Sequence, residues 1–209
     1  MRILVTAGPT REFIDSVRFI SNPSSGRMGF EVACAAEKFG HRVVLISGPV
    51  ELAAPEGIEF VKVISAQDMA RECLSRFPGC DAVVMTAAVC DYKPVNRESG
   101  KIKKTPGRLR LDLVRTVDIL ARMGMQKENQ VLVGFALEVG DGRENALAKL
   151  ASKNLDFIVL NSPQTFASET ISCWIFGRGG GSKEYRNVTK GFLAEEIVKM
   201  IESVADGGS

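Results

Sequence analysis

From Arg18 to Gly29 the chain reads Arg-Phe-Ile-Ser-Asn-Pro-Ser-Ser-Gly-Arg-Met-Gly, a run of small and polar residues immediately ahead of an apolar period. Phe30, Val32, Ala33, Ala36 and Phe39 recur at spacings that give one broad apolar helix face, and Gly40 falls where that helix must end. The helix is therefore expected to start near Ser24 to Gly26. A helix start leaves backbone N–H groups without partners and carries the positive end of the dipole, so Ser24, Ser25, Gly26 and Gly29 would let a phosphate approach closely. The plainer alternative is an ordinary serine N-cap with a glycine for close packing. Two further groups bear on the choice. Ala87 and Ala88 end the most buried-looking strand of the sequence and Asp91 follows it, and Lys101, Lys103 and Lys104 stand in a basic stretch that could neutralise phosphate charge or simply be solvated. His41 is the only histidine and is expected between a helix end and a strand, which removes Ser-His and Cys-His schemes.

The elements that must position these residues are legible as apolar runs closed by turn signals. Arg2 to Ala7, Arg42 to Ser47, Asp81 to Ala88, Val131 to Leu137 and Phe157 to Leu160 read as buried strands, and Gly57 to Ile64 as an outer one. The fifth buried run ends in Asn161-Ser162-Pro163. Helices are expected over 66–77, 117–125, 144–153 and 189–204; in the third of these, Lys149 and Lys153 lie four apart and share a face. Leu109 to Leu113 reads as a short strand, and Lys93 to Arg108 as a mobile loop. Thr170 to Gly177 reads as a late, antiparallel strand or part of a hairpin turning at Arg178 to Ser182, and the Asp-Gly-Gly-Ser tail as frayed. Strands joined through helices imply a doubly wound, three-layer α/β/α sandwich, a Rossmann-like fold with a mostly parallel sheet. Ligands gather at the carboxyl ends of such strands, where Ala87, Ala88 and Asp91 would lie.

Composition bounds the rest. The 209 residues are 45% hydrophobic and 25% charged, which fits one large domain over residues 1–209 with a substantial core. A net charge of +2 gives no polybasic surface for nucleic acid. With no leader at Met1 and no long apolar run, the expectation is a soluble cytoplasmic protein with no membrane contact. Cys34, Cys73, Cys80, Cys90 and Cys173 are odd in number and lack CxxC spacing, so they read as reduced thiols and not as a disulfide framework or zinc site.

A dinucleotide site is the first reading such a sheet invites. Yet G-x-G-x-x-G is absent after Ala7, and the run Arg42 to Ser47 does not end in an acidic residue to hold a ribose. The residues four beyond Tyr92 and Tyr185 are Asn96 and Thr189, so the Tyr and Lys pair of a short-chain reductase is missing too. An NAD(P)-dependent reductase and a non-catalytic nucleotide-binding module remain as rival readings.

Five segments, in order, resemble the phosphopantothenate–cysteine ligases, the synthetase half of the bacterial bifunctional coenzyme A biosynthesis proteins. They are Thr6-Ala7-Gly8-Pro9-Thr10-Arg11-Glu12; Val17-Arg18-Phe19-Ile20-Ser21-Asn22 with Ser24-Ser25-Gly26; Ala87-Ala88-Val89 with Asp91-Tyr92; Lys101-Ile102-Lys103-Lys104; and Val133-Gly134-Phe135-Ala136. The resemblance implies a ligase that joins 4'-phosphopantothenate to L-cysteine through an acyl-cytidylate, converting CTP to CMP and pyrophosphate with Mg2+ on the phosphates and no dedicated metal site. An ATP-using version of the same ligase is the close alternative. By the same resemblance Asn22 is catalytic, its amide donating to the activated carbonyl, and Lys101 is the catalytic lysine of a covering flap. Gly8, Ser24, Gly26, Gly29, Asp91, Phe135, Lys149, Lys153 and Asn161 match nucleotide-binding positions. Asn22, Ala87, Ala88 and Asp91 match positions around the substrate. A homodimer is implied as well, and the decarboxylase half of the bifunctional proteins has no counterpart here. The sequence departs from the family pattern at Pro9, Phe13 and Cys90; Pro9 lacks an N–H and cannot bond a phosphate through its amide.

Overall fold

The computed structural model of the chain describes all residues except 105, 139, 162–168, 208 and 209. Its centre is one eight-stranded sheet. The strands are β1 (Arg2–Ala7), β4 (Arg42–Ser47), β5 (Glu59–Lys62), β6 (Ala82–Met85), β9 (Val131–Leu137), β10 (Phe157–Asn161), β11 (Thr170–Gly177) and β12 (Ser182–Thr189), in the order β12-β11-β10-β9-β6-β1-β4-β5. Pairing is parallel from β5 across to β10, and β11 and β12 close one edge antiparallel. Side chains of β1 alternate between the two faces. Ile3, Val5 and Ala7 enter a core shared with helices α1 (Arg27–Lys38) and α5 (Lys190–Gly207). Leu4 enters the opposite core with α2 (Ala66–Arg76), α3 (Ile119–Gln126) and α4 (Arg143–Ser152). The expected three-layer, mostly parallel α/β/α architecture is what the chain adopts.

Several boundaries differ from expectation for identifiable reasons. Two three-residue hairpins fall in stretches with no apolar period. Strands β2 (Arg11–Phe13) and β3 (Phe19–Ser21) form one, and β7 (Tyr92–Pro94) pairs with β8 (Leu113–Arg115) in the other. Strand β8 thus begins at the last residue of the strand expected over 109–113 and lies outside the main sheet. The first hairpin is held from outside itself: Arg11 N donates to Ile64 O, and buried Glu12 accepts from the first amide of α2. Strand β12 is mostly exposed, so burial leaves it no apolar alternation beyond the hairpin signal at Arg178 to Ser182. Helix α5 continues to Gly207; the end of the expected frayed tail, and the Ser162-Pro163 stop after β10, lie outside the described residues. No helix of the described residues is long and apolar enough to cross a membrane.

The strand order reverses between β1 and β6. From β1 the chain crosses through α1 to β4 on one side, and later returns to the other side at β6. That reversal opens a crevice at the carboxyl ends of both strands. Helices α3 and α4 approach the same end, and glycine sets how closely. A Cβ on Gly124 in α3 would lie 1.9 Å from the carbonyl oxygen of Lys153, just past α4. Gly124→Ala would gain roughly 1 kcal/mol of helix propensity but must push the two helices apart, a packing cost of about 1–3 kcal/mol or more. Urea denaturation should therefore show a net loss of stability; a gain would mean that α3 slides freely against α4.

Candidate functional site

The crevice is a cavity of about 800 Å³. Its walls come from the start of α1, the loop after β6, the entry to α3, the end of β9, and one face of α4.

Helix α1 opens without a side-chain cap. Its N-cap is Gly26, held at φ +77°, and Ser24 Oγ accepts from Gly26 N at 3.3 Å from outside the helix. The serine N-cap alternative therefore does not hold. No acidic residue stands in the first turn, and among the described residues nothing accepts from the amides of Arg27 and Met28. Gly26 must be glycine on two counts, since a side chain is strained at that φ and its Cβ would sit 2.9 Å from Val50 Cγ1 and 3.2 Å from Gly8 N. Gly29 is needed for approach. A Cβ there would stand 2.6 Å from both Ala7 Cβ and Thr86 Oγ1, so its absence lets α1 rest directly on β1 and the exit of β6.

The loop after β6 is stitched to the exit of β1. Thr86 Oγ1 donates to Thr6 O at 2.6 Å, Ala88 N donates to Gly8 O at 2.9 Å, and Cys90 N donates to Thr10 Oγ1 at 2.9 Å. These bonds present Ala87, Ala88 and Asp91 to the cavity. Asn22 spans from the other side, its Nδ2 donating to Ala88 O and Val89 O at 3.1 Å each. Both amide protons are thus taken by backbone, and donation to a bound carbonyl requires one of those bonds to be exchanged.

Lys149 and Lys153 line the cavity, each beside an acid. Lys149 Nζ lies 2.7 Å from Glu138 Oε1, and Lys153 Nζ lies 2.8 Å from Asp118 Oδ2. Burial pushes the Asp118 carboxyl up, but the Lys153 ammonium and the Ala121 amide outweigh it and hold the group below its ordinary range. The bond to Lys149 likewise holds Glu138 low. Both carboxyl groups are therefore ionised near neutral pH. Phe135, half-buried at the end of β9, and Asn161, at the end of β10, complete this wall.

Of the residues that the resemblance matched to catalytic, nucleotide or substrate positions, all except Gly8 and Lys101 line this cavity. Gly8, at φ +69°, lies behind it and packs on Val50 and Gly48. Lys101 is exposed on the loop between β7 and β8. Pro9 is buried, pairs with Ala88 and abuts Gly48, so the missing N–H falls outside the lining. His41 sits at the opposite end of the sheet beside the N-terminal amine, with Nε2 3.2 Å from Glu202.

Sequence reasoning missed Arg27, Arg115, Asp118 and Lys190, all of which line the cavity. Arg27 carried a signal: a cation in a first helical turn opposes the dipole unless an anion is bound there. Asp118 carried another, because it caps α3 by accepting from Ala121 N at 2.9 Å. Lys190 is buried, and its ammonium is pushed down by burial and by Arg27. The described lining holds five cations against two carboxylates, around a helix N-terminus. That arrangement suits a polyanion. Among the described residues no three His, Cys, Asp or Glu side chains gather as a metal site. The reductase reading gains nothing, since the path from β1 to α1 runs through the β2–β3 hairpin in place of a tight glycine turn, and β4 ends at Ser47.

Residues 1–204 match the model of the DNA/pantothenate metabolism flavoprotein C-terminal domain family. The chain belongs to this family. Within reach of that family's name, the coenzyme A biosynthesis bifunctional protein CoaBC of Bacillus subtilis is 44% identical over 208 residues, 97% of this chain and 51% of that protein. A cysteine/cysteine sulfinic acid decarboxylase from an unknown prokaryotic organism is 43% identical over 206 residues, 96% of this chain and 57% of that protein. The chain thus spans about half the length of the curated relatives it matches. The crystal structure of the C-terminal domain of a CoaBC protein superposes with a TM-score of 0.87 at 40% identity, covering 99% of this chain and 96% of that one.

Proposed function

We propose that the chain is a phosphopantothenate–cysteine ligase acting in coenzyme A biosynthesis, with CTP as co-substrate. The observation that carries the reading is the uncapped start of α1 in a cavity dominated by cations. The bifunctional coenzyme A biosynthesis relatives, and a domain of the same kind that superposes along nearly its whole length, support it. The position of the cysteine in this scheme is as nucleophile, not as carbon to be decarboxylated.

A carboxylate resists amines because its leaving group would be oxide. In the first step a carboxylate oxygen of phosphopantothenate attacks the α-phosphorus of CTP, forming acyl-cytidylate and expelling pyrophosphate. In the second the cysteine amine attacks the acyl carbonyl, the C–O bond to phosphate breaks, and CMP leaves. Magnesium carried on the phosphates would offset their charge, and no cluster of protein carboxylates is asked to hold it. The chain's part is to seat the phosphates on the amides of Arg27 and Met28, with Arg27 and Lys190 beside them. Lys149 and Lys153 hold charge at the far wall, and Asp91, Ala87 and Ala88 shape the substrate's place. Lys101 enters from the loop outside.

The setting proposed is the cytoplasm, and the working unit a homodimer. Tyr92 and Leu113, on one face of the β7–β8 hairpin, and Leu111 just before it are exposed near the cavity rim, an apolar patch that a second copy would cover. Light scattering at micromolar concentration should give twice the chain mass of 22.6 kDa; a monomer would refute the dimer.

Turnover tests the reaction itself. With phosphopantothenate and cysteine, pyrophosphate should be released from CTP much faster than from ATP; faster release from ATP selects the alternative ligase, and none from either refutes both. Asn22→Asp removes the Nδ2 donor and sets a carboxylate against the Ala88 and Val89 carbonyls. If Asn22 serves the acyl carbonyl, the variant keeps pyrophosphate exchange without cysteine while product formation falls by a few kcal/mol of transition-state stabilisation, about a hundredfold or more. An equal fall in both steps would assign Asn22 to holding the loop.

A further inference from the structure

The loop between β7 and β8 carries Lys101, Lys103 and Lys104, all exposed, with half-buried Ile102 among them. It is tied to the turn of the β2–β3 hairpin. Glu98 N donates to Ile14 O at 3.0 Å, Ile102 N donates to Asp15 Oδ2 at 3.1 Å, and Arg18 Nη1 donates to Ile102 O at 3.3 Å. Both backbone polar groups of one residue are thus gripped by one side-chain pair. Asp15 has no solvent exposure. Its Oδ1 accepts from Val17 N and Arg18 N at 2.7 Å each, closing the hairpin turn, and its Oδ2 accepts from Arg18 Nη1 at 2.7 Å. Burial alone would raise this carboxyl, but the amides of Arg18, Val17 and Ile102 and the Arg18 charge bring it down to about 2. The Asp15 carboxylate therefore stays ionised well into the acid range.

An ion pair of a buried carboxylate with a half-buried guanidinium adds little net stability but fixes geometry, and here the geometry fixed is that of the basic loop. Because the grip uses only backbone atoms of Ile102, it leaves every lysine beside it free to point elsewhere. Anchoring the loop near its middle also shortens the span that must be ordered when a lysine closes over a ligand. We propose that Asp15 and Arg18 are positioning residues that set the lysine loop for closure over the cavity, so that they act on the reaction through Lys101. What Lys101 does there rests on the ligase reading; the grip does not.

Two variants separate these parts. Asp15→Asn keeps the side chain's shape but loses the charge and one acceptor, whereas Ile102→Pro removes the gripped N–H from an exposed loop and leaves the hairpin intact. Limited trypsin digestion should cut after Lys103 and Lys104 about tenfold faster or more in both variants than in the unaltered chain, with cleavage elsewhere unchanged. Lys101→Ala should lower kcat on the order of tenfold to a thousandfold. Adding Asp15→Asn to it should cost nothing further, whereas a purely structural Asp15 would multiply the two losses. Unchanged cleavage in Ile102→Pro, or multiplied losses in the double variant, would overturn the proposal. If Asp15→Asn fails to fold, Ile102→Pro serves in both measurements. A chain that turns over neither CTP nor ATP refutes the ligase reading, while digestion still decides the grip.

Discussion

Helix α1 lies against the ends of β1 and β6 because residue 29 has no side chain. A methyl group there would meet Ala7 and Thr86 side chains at 2.6 Å and the Thr6 carbonyl at 2.8 Å, so anything larger than glycine would lift the helix from the sheet. That contact places the first amides of α1 at the point where the strand order reverses. The left-handed N-cap at Gly26 then turns the chain so that no side chain competes for them. The loop after β6 depends on the same contact, because Thr86, which Gly29 touches, donates to Thr6 O and begins the bonds that present Ala87 to Asp91.

Charge around the cavity is distributed in two ways. Near α1, burial and the Arg27 charge push the Lys190 ammonium down while Glu31 acts the other way, and Arg27 itself lies 3.7 Å from Glu169. At the opposite wall Lys149 and Lys153 are neutralised by Glu138 and Asp118, so they are held in place at little electrostatic cost. A phosphate arriving between these walls would meet the open amides of α1 with cations beside them on one side and preset donors on the other. Electrostatic preorganisation of this kind suits chemistry in which negative charge moves from a carboxylate to pyrophosphate and then to a nucleotide monophosphate.

The parallel core and the site's main wall were legible because they rest on local pattern. Bounds of β1, β4, β9 and β11 agree with the apolar runs, and the small residues before Phe30 mark the helix start to within a residue or two. The rest depends on partners distant in the chain. Three-residue strands β2 and β3 have no period to read, and are fixed by bonds to Ile64, Ala66 and Ile102. The partners of Lys149 and Lys153 lie 11 and 35 positions away, and nothing local announces them. Asp15 was unreadable for the same reason: its work is done between two loops. Gly8 shows the converse, a residue matched to the site by resemblance that the fold uses for packing behind it.

The central claim is that the bare start of α1 is the phosphate seat. It is tested most directly by titrating Mg2+ and CTP into the isotopically labelled protein and following the backbone amides by nuclear magnetic resonance. The account predicts that the Arg27 and Met28 amides shift most among those of α1, in step with binding and more weakly as salt is raised. Saturable CTP binding that leaves both amides unmoved would contradict it.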